Sequence, residues 1–171
     1  PHEMDALVFG VFTHAVLPEF HNDPACAELR DGDALAGAVI KRMRGAAERQ
    51  FGRRPLAAVR LQLAQLEGRL RAWAGVEAAS RREGWRTIHV EWAAPEAGVP
   101  VTVAVDGVQV SFALGGRMDR VDRRETPADG VELRVLDYKA GEKAKEPAKA
   151  FKAKPPRWED LQLPIYRRLA A

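Results

Sequence analysis

GGRMDRVDRRETPADGVELRVLDYKAG, residues 115–141, is the stretch of this chain that decides its fold, and it predicts a β-hairpin. Residues 117–125 and 131–139 are the two predicted strands, because glycines flank the unit and strong turn formers separate its halves. The turn is PADG at 127–130, which combines proline, aspartate and glycine. The rest of the chain is expected to be organised around this hairpin.

The turn brings two aspartates and a lysine together. If it is centred near Ala128, Asp119 and Asp137 lie roughly opposite one another, with Cβ atoms about 5 Å apart when they share a face. Asp137 and Lys139 are two residues apart on one strand, so they point to the same side about 7 Å apart. The hairpin therefore predicts two carboxylates and one ammonium group in one place.

Two carboxylates this close repel each other unless one is protonated or a cation lies between them. A divalent metal is the simplest such cation, and oxygen ligands favour Mg²⁺ or Mn²⁺. A lysine beside the metal can orient or help deprotonate an attacking water. The alternative is a surface hairpin whose charged side chains form only solvated ion pairs. The apolar residues before Asp137 mark a buried strand, where an unpaired charge is costly, and they favour the metal.

Three segments resemble, in order along the chain, the motif series of RecB-type nucleases in the PD-(D/E)XK superfamily, especially the nuclease domains of AddB-like bacterial helicase–nucleases. They are GRMDRVD at 116–122, LDYKAG at 136–141 and DLQLPIY at 160–166. The resemblance implies that Asp119 and Asp137 bind the metal and are catalytic together with Lys139. Ala140 stands where the family often has threonine, which leaves the charged groups unchanged.

GVFTH at 10–14 matches the early G-x-x-x-H of these nucleases, which implies that His14 joins the metal site from a helix. A lone histidine on an apolar helix face is otherwise more often a packed core residue. The implied ligands of Mg²⁺ or Mn²⁺ are His14, Asp119, Asp137 and the backbone carbonyl of Tyr138. Glu91 lies in a strand where the family often has glutamate, but strand alternation alone explains a polar residue there, so Glu91 stays a weak candidate.

The third segment contains the Q-x-x-x-Y that flanks the active site in these nucleases, which implies that Gln162 and Tyr166 contact the DNA strand. On spacing alone they are two polar residues on a helix surface. Arg120 is assigned to DNA binding with them. The lysine-rich segment after the hairpin, which includes Lys143 and Lys145, either follows the DNA backbone or is merely solvated.

The expected fold is α/β, with a mixed, largely antiparallel central sheet of about five strands flanked by helices. The first helix, from residue 5, bends or ends near Pro18. Asp33 can cap a second helix that Gly52 closes. An apolar seam in 56–73 predicts a third helix that packs on the core, with a coiled coil as the alternative.

From Trp85 the hydrophobic period changes to two, which predicts strands. Asp106-Gly107 is a strong signal for a tight hairpin between two of them. Residues after Lys139 are expected to form a mobile loop until Trp158 opens the last helix.

Length and composition are compatible with one domain spanning 1–171. In the family that the motifs resemble, the domain usually continues past the Q-x-x-x-Y motif. The chain has 171 residues and a formal net charge of +3, mildly basic and compatible with nucleic acid. A single cysteine, Cys26, excludes an internal disulfide and makes the four-cysteine iron–sulfur cluster of some AddB-like nucleases unlikely here. Without a membrane-spanning apolar run or a signal-peptide pattern, a bacterial cytoplasmic location is expected.

Together these features predict a metal-dependent DNA nuclease, an exonuclease acting in DNA end processing, recombination and double-strand-break repair. Its partners would be single- or double-stranded DNA ends and a helicase motor. The alternative is a non-catalytic DNA-binding or scaffolding module of a helicase–nuclease complex. An RNA substrate and an interaction domain built on the helix in 56–73 are the remaining alternatives.

Overall fold

The computed structural model describes residues 3–127, 130–139, 151–153, 156–158 and 162–169. The helices are α1 (Ala6–His21), α2 (Pro24–Ala27), α3 (Gly32–Phe51), α4 (Ala57–Arg82) and α5 (Gln162–Leu169). The strands are β1 (Arg86–Ala93), β2 (Val99–Val105), β3 (Val108–Leu114), β4 (Arg117–Thr126), β5 (Gly130–Leu136), β6 (Phe151–Ala153) and β7 (Pro156–Trp158). Antiparallel strands flanked by helices confirm the predicted α/β class.

The strands of the described ranges form three separate sheets. β4 is the middle strand of the sheet β1–β4–β5, whereas β2 pairs only with β3 and β6 only with β7. All of these pairings are antiparallel. About five strands were expected in one central sheet, and β1–β5 are present but divided between two sheets.

The hairpin of β4 and β5 has the register that its turn predicts. Pairing runs from Thr126 opposite Gly130 to Arg120 opposite Leu136, which is symmetric about residue 128. β5 ends at Leu136, so Asp137 and Lys139 follow the strand instead of belonging to it. This early end frees the backbone after Leu136 for contacts with other elements.

The hairpin of β2 and β3 confirms the Asp106-Gly107 signal. Asp106 and Gly107 have φ angles of 49° and 80°, the left-handed conformation that a tight type I′ turn requires at both central positions. Valines from the two strands lie opposite each other, as at Val103 and Val110 or at Val105 and Val108. One face of this hairpin is therefore apolar and remains exposed.

α1, α3 and α4 pack around the larger of two apolar cores. Most of the predicted seam of α4 faces this core, since Leu66 and Leu70 belong to it and Leu63 and Trp73 pack against it. Leu56 is exposed, and the helix continues well past residue 73. Most of the apolar seam of α4 is therefore buried by packing within the chain. No helix in the described ranges combines the length and the apolar character needed to cross a bilayer.

Three predicted helix boundaries are wrong, namely the end of α1, the start of α3 and the start of the last helix. α1 does not end at Pro18 but continues to His21, because Phe20 in that last turn is fully buried and Pro18 still accepts from the backbone of Asn22. Asp31, and not Asp33, caps α3, although Gly52 closes it as predicted.

The last helix begins at Gln162, later than predicted. Trp158 belongs to β7 instead, which pairs with β6 inside the segment that was expected to be a loop. The other residues predicted to form that loop, 140–150 and 154–155, lie outside the described residues.

Candidate functional site

β4 separates two groups of charged residues. Successive side chains of a strand point to opposite faces, so Asp119 and Arg120 leave β4 in opposite directions. Asp119 lies near His14 of α1, whereas Arg120 lies against Glu77 of α4. Each group has a different surrounding and a different chemical capacity.

His14 connects α1 to the first group. Its Nε2 lies 3.0 Å from the backbone oxygen of Tyr138. A carbonyl can only accept, so Nε2 carries the proton of this hydrogen bond, and Nδ1 is the ring nitrogen left to face other groups. Nδ1 faces two carboxylates, 3.7 Å from Oδ1 of Asp119 and 3.7 Å from Oε1 of Glu91. The carbonyl of Tyr138 therefore fixes which nitrogen of His14 is presented.

His14, Glu91 and Asp119 form a group that could hold a metal ion, with their ligand atoms all within 4.8 Å of one another. One imidazole and two carboxylates make a nitrogen and oxygen donor set, which suits a divalent cation such as Mg²⁺ or Mn²⁺. Opposed carboxylates without a cation repel each other. The donor chemistry of the site thus fits a metal.

Glu91 was only a weak candidate in the sequence, from the resemblance to a family that often has glutamate in this strand. Its neighbours Val90 and Trp92 pair with Arg120 and Met118, so Glu91 lies opposite Asp119 across the β1–β4 pair. Its φ of 50° is left-handed, a conformation that costs a residue with a side chain about 1–2 kcal/mol. The signal that strengthens this candidate is the pairing of β1 with β4, because the β4–β5 hairpin alone does not contain this neighbour.

Asp137 and Lys139 come together, although both follow β5 and do not lie on the strand that the two-residue spacing assumed. Nζ of Lys139 lies 2.5 Å from Oδ2 of Asp137. Oδ1 of Asp137 accepts from Nε2 of Gln162 at 2.8 Å, and that nitrogen also lies 2.7 Å from the hydroxyl of Tyr166. The hydrogen bond with Asp137 raises the pKa of Lys139, so the ammonium is charged at neutral pH. Asp137 is therefore engaged by Lys139 and Gln162.

Tyr138 is held at three points. Its amide donates to Oδ2 of Asp119 at 2.6 Å, and its carbonyl accepts from His14. Its hydroxyl lies 3.3 Å from Nη1 of Arg120 and 3.3 Å from Nε2 of His21. Burial raises the pKa of Tyr138 to about 12, so the phenol stays protonated. These contacts link the segment between Asp137 and Lys139 to both sides of β4.

Arg120 does not reach the surface, which contradicts its predicted DNA contact. It is 1 % exposed, and its guanidinium donates to Oε2 of Glu77 at 2.7 Å and to Oδ1 of Asp122 at 2.5 Å. Burial alone would lower the pKa of Arg120, but Tyr138, Asp122 and Glu77 raise it on balance. A charge buried in this way needs its partners, and it has them within the fold.

The second group extends around Asp122 and His21. Asp122 is fully buried and also accepts from Nη2 of Arg134 at 2.7 Å, while Arg134 donates to Ser80 of α4. Burial, together with the charge of Arg120, lowers the pKa of His21 to about 3, so its ring is neutral. These residues form a buried ion network that joins α1, α4, β4 and β5.

The structure brings together some of the predicted site residues and leaves others apart. His14, Asp119 and the Tyr138 carbonyl are in direct contact, and Gln162 connects Asp137 to Tyr166. Asp137 is not part of the three-residue group with His14. Lys143 and Lys145 lie outside the described residues.

A comparison with protein families gives one result for the chain. The family model described as the PD-(D/E)XK nuclease superfamily matches residues 1–171. No curated protein matches the chain closely enough to add an individual relative. Since the match spans the whole sequence and the site residues supply carboxylates, an imidazole and a lysine, the chain belongs to the PD-(D/E)XK nuclease superfamily.

Proposed function

We propose that this chain is a metal-dependent deoxyribonuclease of the RecB type, an exonuclease that hydrolyses phosphodiester bonds at DNA ends. The observation that carries the proposal is the group of His14, Glu91 and Asp119, whose donors lie within 4.8 Å of one another in a chain of the nuclease superfamily. Hydrolysis of a phosphodiester needs charge stabilisation and an activated water, and a divalent ion supplies both when it is bound.

His14, Glu91 and Asp119 would hold Mg²⁺ or Mn²⁺, and Asp137 is the other expected ligand. The Tyr138 carbonyl, also predicted as a ligand, accepts from Nε2 of His14 on the side of the ring away from Nδ1 and so positions His14 instead. Asp119 and His14 are kept in place by the amide and the carbonyl of Tyr138. Because Tyr138 is anchored in turn by Arg120, the ligands are oriented by the buried side of β4. The site is thus arranged before any substrate arrives.

Lys139 acts in this proposal as a cation. Its pKa is raised by the hydrogen bond with Asp137, so it is a charged hydrogen-bond donor at neutral pH. Its ammonium can therefore orient the attacking water or stabilise negative charge on the phosphate. Gln162 and Tyr166 fix the orientation of Asp137, and we assign them to positioning the DNA strand as well.

The test is cleavage of end-labelled single-stranded and double-stranded DNA in Mg²⁺, Mn²⁺ or EDTA. We expect cleavage with the metals and none in EDTA. Lys139→Ala should lower the rate about 10²- to 10⁴-fold while leaving folding and DNA binding intact. Lys41→Ala is the matched control, since Lys41 is exposed on α3 away from the site.

A circular single-stranded substrate separates exonuclease from endonuclease action, because it offers no end. A folded wild-type chain that binds Mn²⁺ and cuts neither linear nor circular DNA would contradict the proposed activity. Equal rates for Lys139→Ala and Lys41→Ala would contradict the role of Lys139.

The wider context also belongs to the proposal. RecB-type nucleases act with a helicase motor in double-strand-break repair and recombination, and the same setting is proposed for this domain. A stimulation of cleavage on long duplex DNA by an ATP-driven helicase would support it, and the same rate with and without the motor would count against it.

A further inference from the structure

Arg117 places a positive charge beside the candidate metal site. It is the first residue of β4 and lies two residues before Asp119, so both side chains leave the strand on the same face. Its Nη1 lies 3.4 Å from Oε2 of Glu91, the residue opposite Asp119. One carboxylate of the candidate site is therefore shared with a guanidinium.

The two oxygens of Glu91 have different partners. Oε1 faces Nδ1 of His14 at 3.7 Å, on the side of the candidate metal site, while Oε2 faces Arg117. A guanidinium next to a ligand carboxylate offsets part of its negative charge and repels a divalent cation. If binding the metal were the only requirement, a neutral side chain at position 117 would give a higher affinity.

The ion pair of Arg117 with Glu91 contributes little to the stability of the fold. The side chain of Arg117 is 65 % exposed, whereas that of Arg120 in the buried ion network is 2 % exposed. An exposed pair is screened by water and by salt and is worth little. Arg117 can therefore change its partner at small cost.

Arg117 also faces open space. It lines a groove of about 690 Å³ together with His14, Glu91 and Asp119. Among the described residues that line this groove, Arg117 is the only one with a permanent positive charge. A phosphodiester that enters the groove meets two carboxylates, and Arg117 is the side chain that can compensate its charge.

We propose that Arg117 binds a phosphate of the DNA, and that its ion pair with Glu91 blocks this contact until Glu91 binds the metal. Arg117 then makes DNA binding depend on metal binding. The inference rests on the proposed nuclease function and adds to it a substrate-binding residue and a coupling between the two ligands of the site.

The exchange of partners follows from the charges. Once Glu91 shares its charge with a divalent cation, it attracts Arg117 less, and the guanidinium is repelled by the cation. The planar guanidinium can then donate two parallel hydrogen bonds to a phosphate. A phosphate that draws Arg117 away leaves Glu91 with its full charge for the metal, so each ligand favours the binding of the other.

A double-mutant cycle in EDTA tests the competition without metal and without cleavage. Glu91→Gln removes the carboxylate that holds Arg117, so the guanidinium is available to DNA from the start. The probe is a labelled oligonucleotide, measured as a single strand and as a blunt duplex. On at least one form, we expect Arg117→Gln to raise the Kd about 2-fold in the wild-type background and about 10-fold in the Glu91→Gln background. If the two charges acted independently, the factor would be the same in both backgrounds.

Arg123 and Glu125 provide the matched control cycle. They form an exposed ion pair at 2.6 Å on the same strand, beyond Asp119 and away from the candidate site. Arg123→Gln should change the Kd for DNA by the same factor with and without Glu125→Gln. Thermal melting of each variant in EDTA ensures that folded proteins are compared.

Three results of these cycles would overturn the inference. The first is an equal factor for Arg117→Gln in both backgrounds, on the single strand and the duplex alike. The second is a background dependence of the same size in the control pair. The third is a folded Glu91→Gln protein that binds DNA no better than the wild type.

Calorimetric titration with Mn²⁺ in the absence of DNA gives an independent reading. Arg117→Gln removes the group that competes with the metal for Glu91, so we expect the Kd for Mn²⁺ to fall about 2- to 5-fold. Arg123→Gln should bind Mn²⁺ like the wild type. A Kd that is unchanged or higher in Arg117→Gln would show that the pair with Glu91 does not oppose the metal, and would overturn the coupling.

The two proposals can fail separately. A wild type that cuts no DNA would remove the nuclease function, while the cycle in EDTA would still decide whether Glu91 and DNA compete for Arg117. Cleavage by the wild type, combined with equal factors in the cycle, would leave the nuclease and remove the exchange at Arg117.

Discussion

Asp119 and Asp122 lie three residues apart on β4, and both are buried, yet their surroundings differ completely. Asp122 is enclosed by the guanidinium groups of Arg120 and Arg134. In the described part of the chain, His14 is the only basic side chain within 4 Å of the Asp119 carboxylate, which faces Glu91 across the sheet. One carboxylate is neutralised by the fold and the other is left for a cation from outside.

Along this one strand, Asp122 contributes to stability, whereas Asp119 is available to the candidate site. Burial alone would raise the pKa of Asp122, but the hydrogen bonds from Arg120 and Arg134 outweigh it and lower the pKa. An aspartate held in this way belongs to the structure and cannot take a further ligand. Asp119 keeps Oδ1 facing Nδ1 of His14, so the face of β4 toward α1 is the one that can perform chemistry.

Asp119→Asn should have the largest effect. The amide keeps the acceptor for the Tyr138 backbone but removes the charge that holds the cation, so we expect Mn²⁺ binding and cleavage to be lost. Stability in EDTA should be equal or slightly higher, because repulsion from Glu91 is removed. Calorimetric titration with Mn²⁺ and thermal melting in EDTA measure the two properties. Retained Mn²⁺ affinity would break the proposed division between the two aspartates.

Asp122→Asn should produce the opposite result. Arg120 and Arg134 would lose the charge that compensates them, and removing one partner of a buried ion pair costs about 3–5 kcal/mol. Denaturant unfolding measures this loss. The fraction that remains folded should bind Mn²⁺ like the wild type. A variant as stable as the wild type would show that the buried ion network does not support the fold.

Glu91→Gln tests whether Glu91 belongs to the same candidate metal site as Asp119. If Glu91 completes the group with His14 and Asp119, its substitution should weaken Mn²⁺ binding about 10- to 100-fold. Glu96→Gln is the matched control, since Glu96 is exposed just beyond β1. Equal affinity of the two variants would remove Glu91 from the site and leave its left-handed backbone unexplained.

Acid should lower the free energy of unfolding mainly through His21 of the buried ion network. The pKa of His21 is about 3 in the folded chain and about 6.5 in the unfolded one, so the unfolded chain binds more protons below pH 6.5. Stability is therefore complete above that pH and falls as the pH is lowered toward 3. Between pH 7 and pH 5 the loss should be about 1–2 kcal/mol.

His21→Gln is the variant that isolates this effect. Its free energy of unfolding should change less between pH 7 and pH 5 than that of the wild type, because the titrating ring is gone. Parallel pH profiles for the two proteins would show that other groups cause the acid sensitivity.

The sequence was sufficient wherever the deciding contacts are local. The PADG turn and the spacing of Asp119 and Asp137 predicted the register of β4 with β5, and Asp106-Gly107 predicted the second hairpin. In both cases the turn chemistry and the strand period point to one pairing. The α/β class followed from the same signals.

The sequence was insufficient where distant elements decide. Arg120 looks like a surface residue beside a DNA site, and its burial depends on Glu77, 43 residues earlier on α4, as well as on Asp122. Glu91 looks like an ordinary polar strand residue until β1 is paired with β4. Pro18 favours the end of a helix, but the burial of Phe20 overrides it. Each of these depends on tertiary packing that no local pattern contains.

The three-point attachment of Tyr138 also determines how fast the segment around it opens to solvent. A segment after a strand usually opens quickly, and its amide protons exchange with solvent faster than those of the core. The amide of Tyr138 is bound to a buried carboxylate, and its ring ends in the network behind β4. Its proton should therefore exchange at the rate of the surrounding helices, so the segment that carries Asp137 and Lys139 behaves kinetically as part of the core.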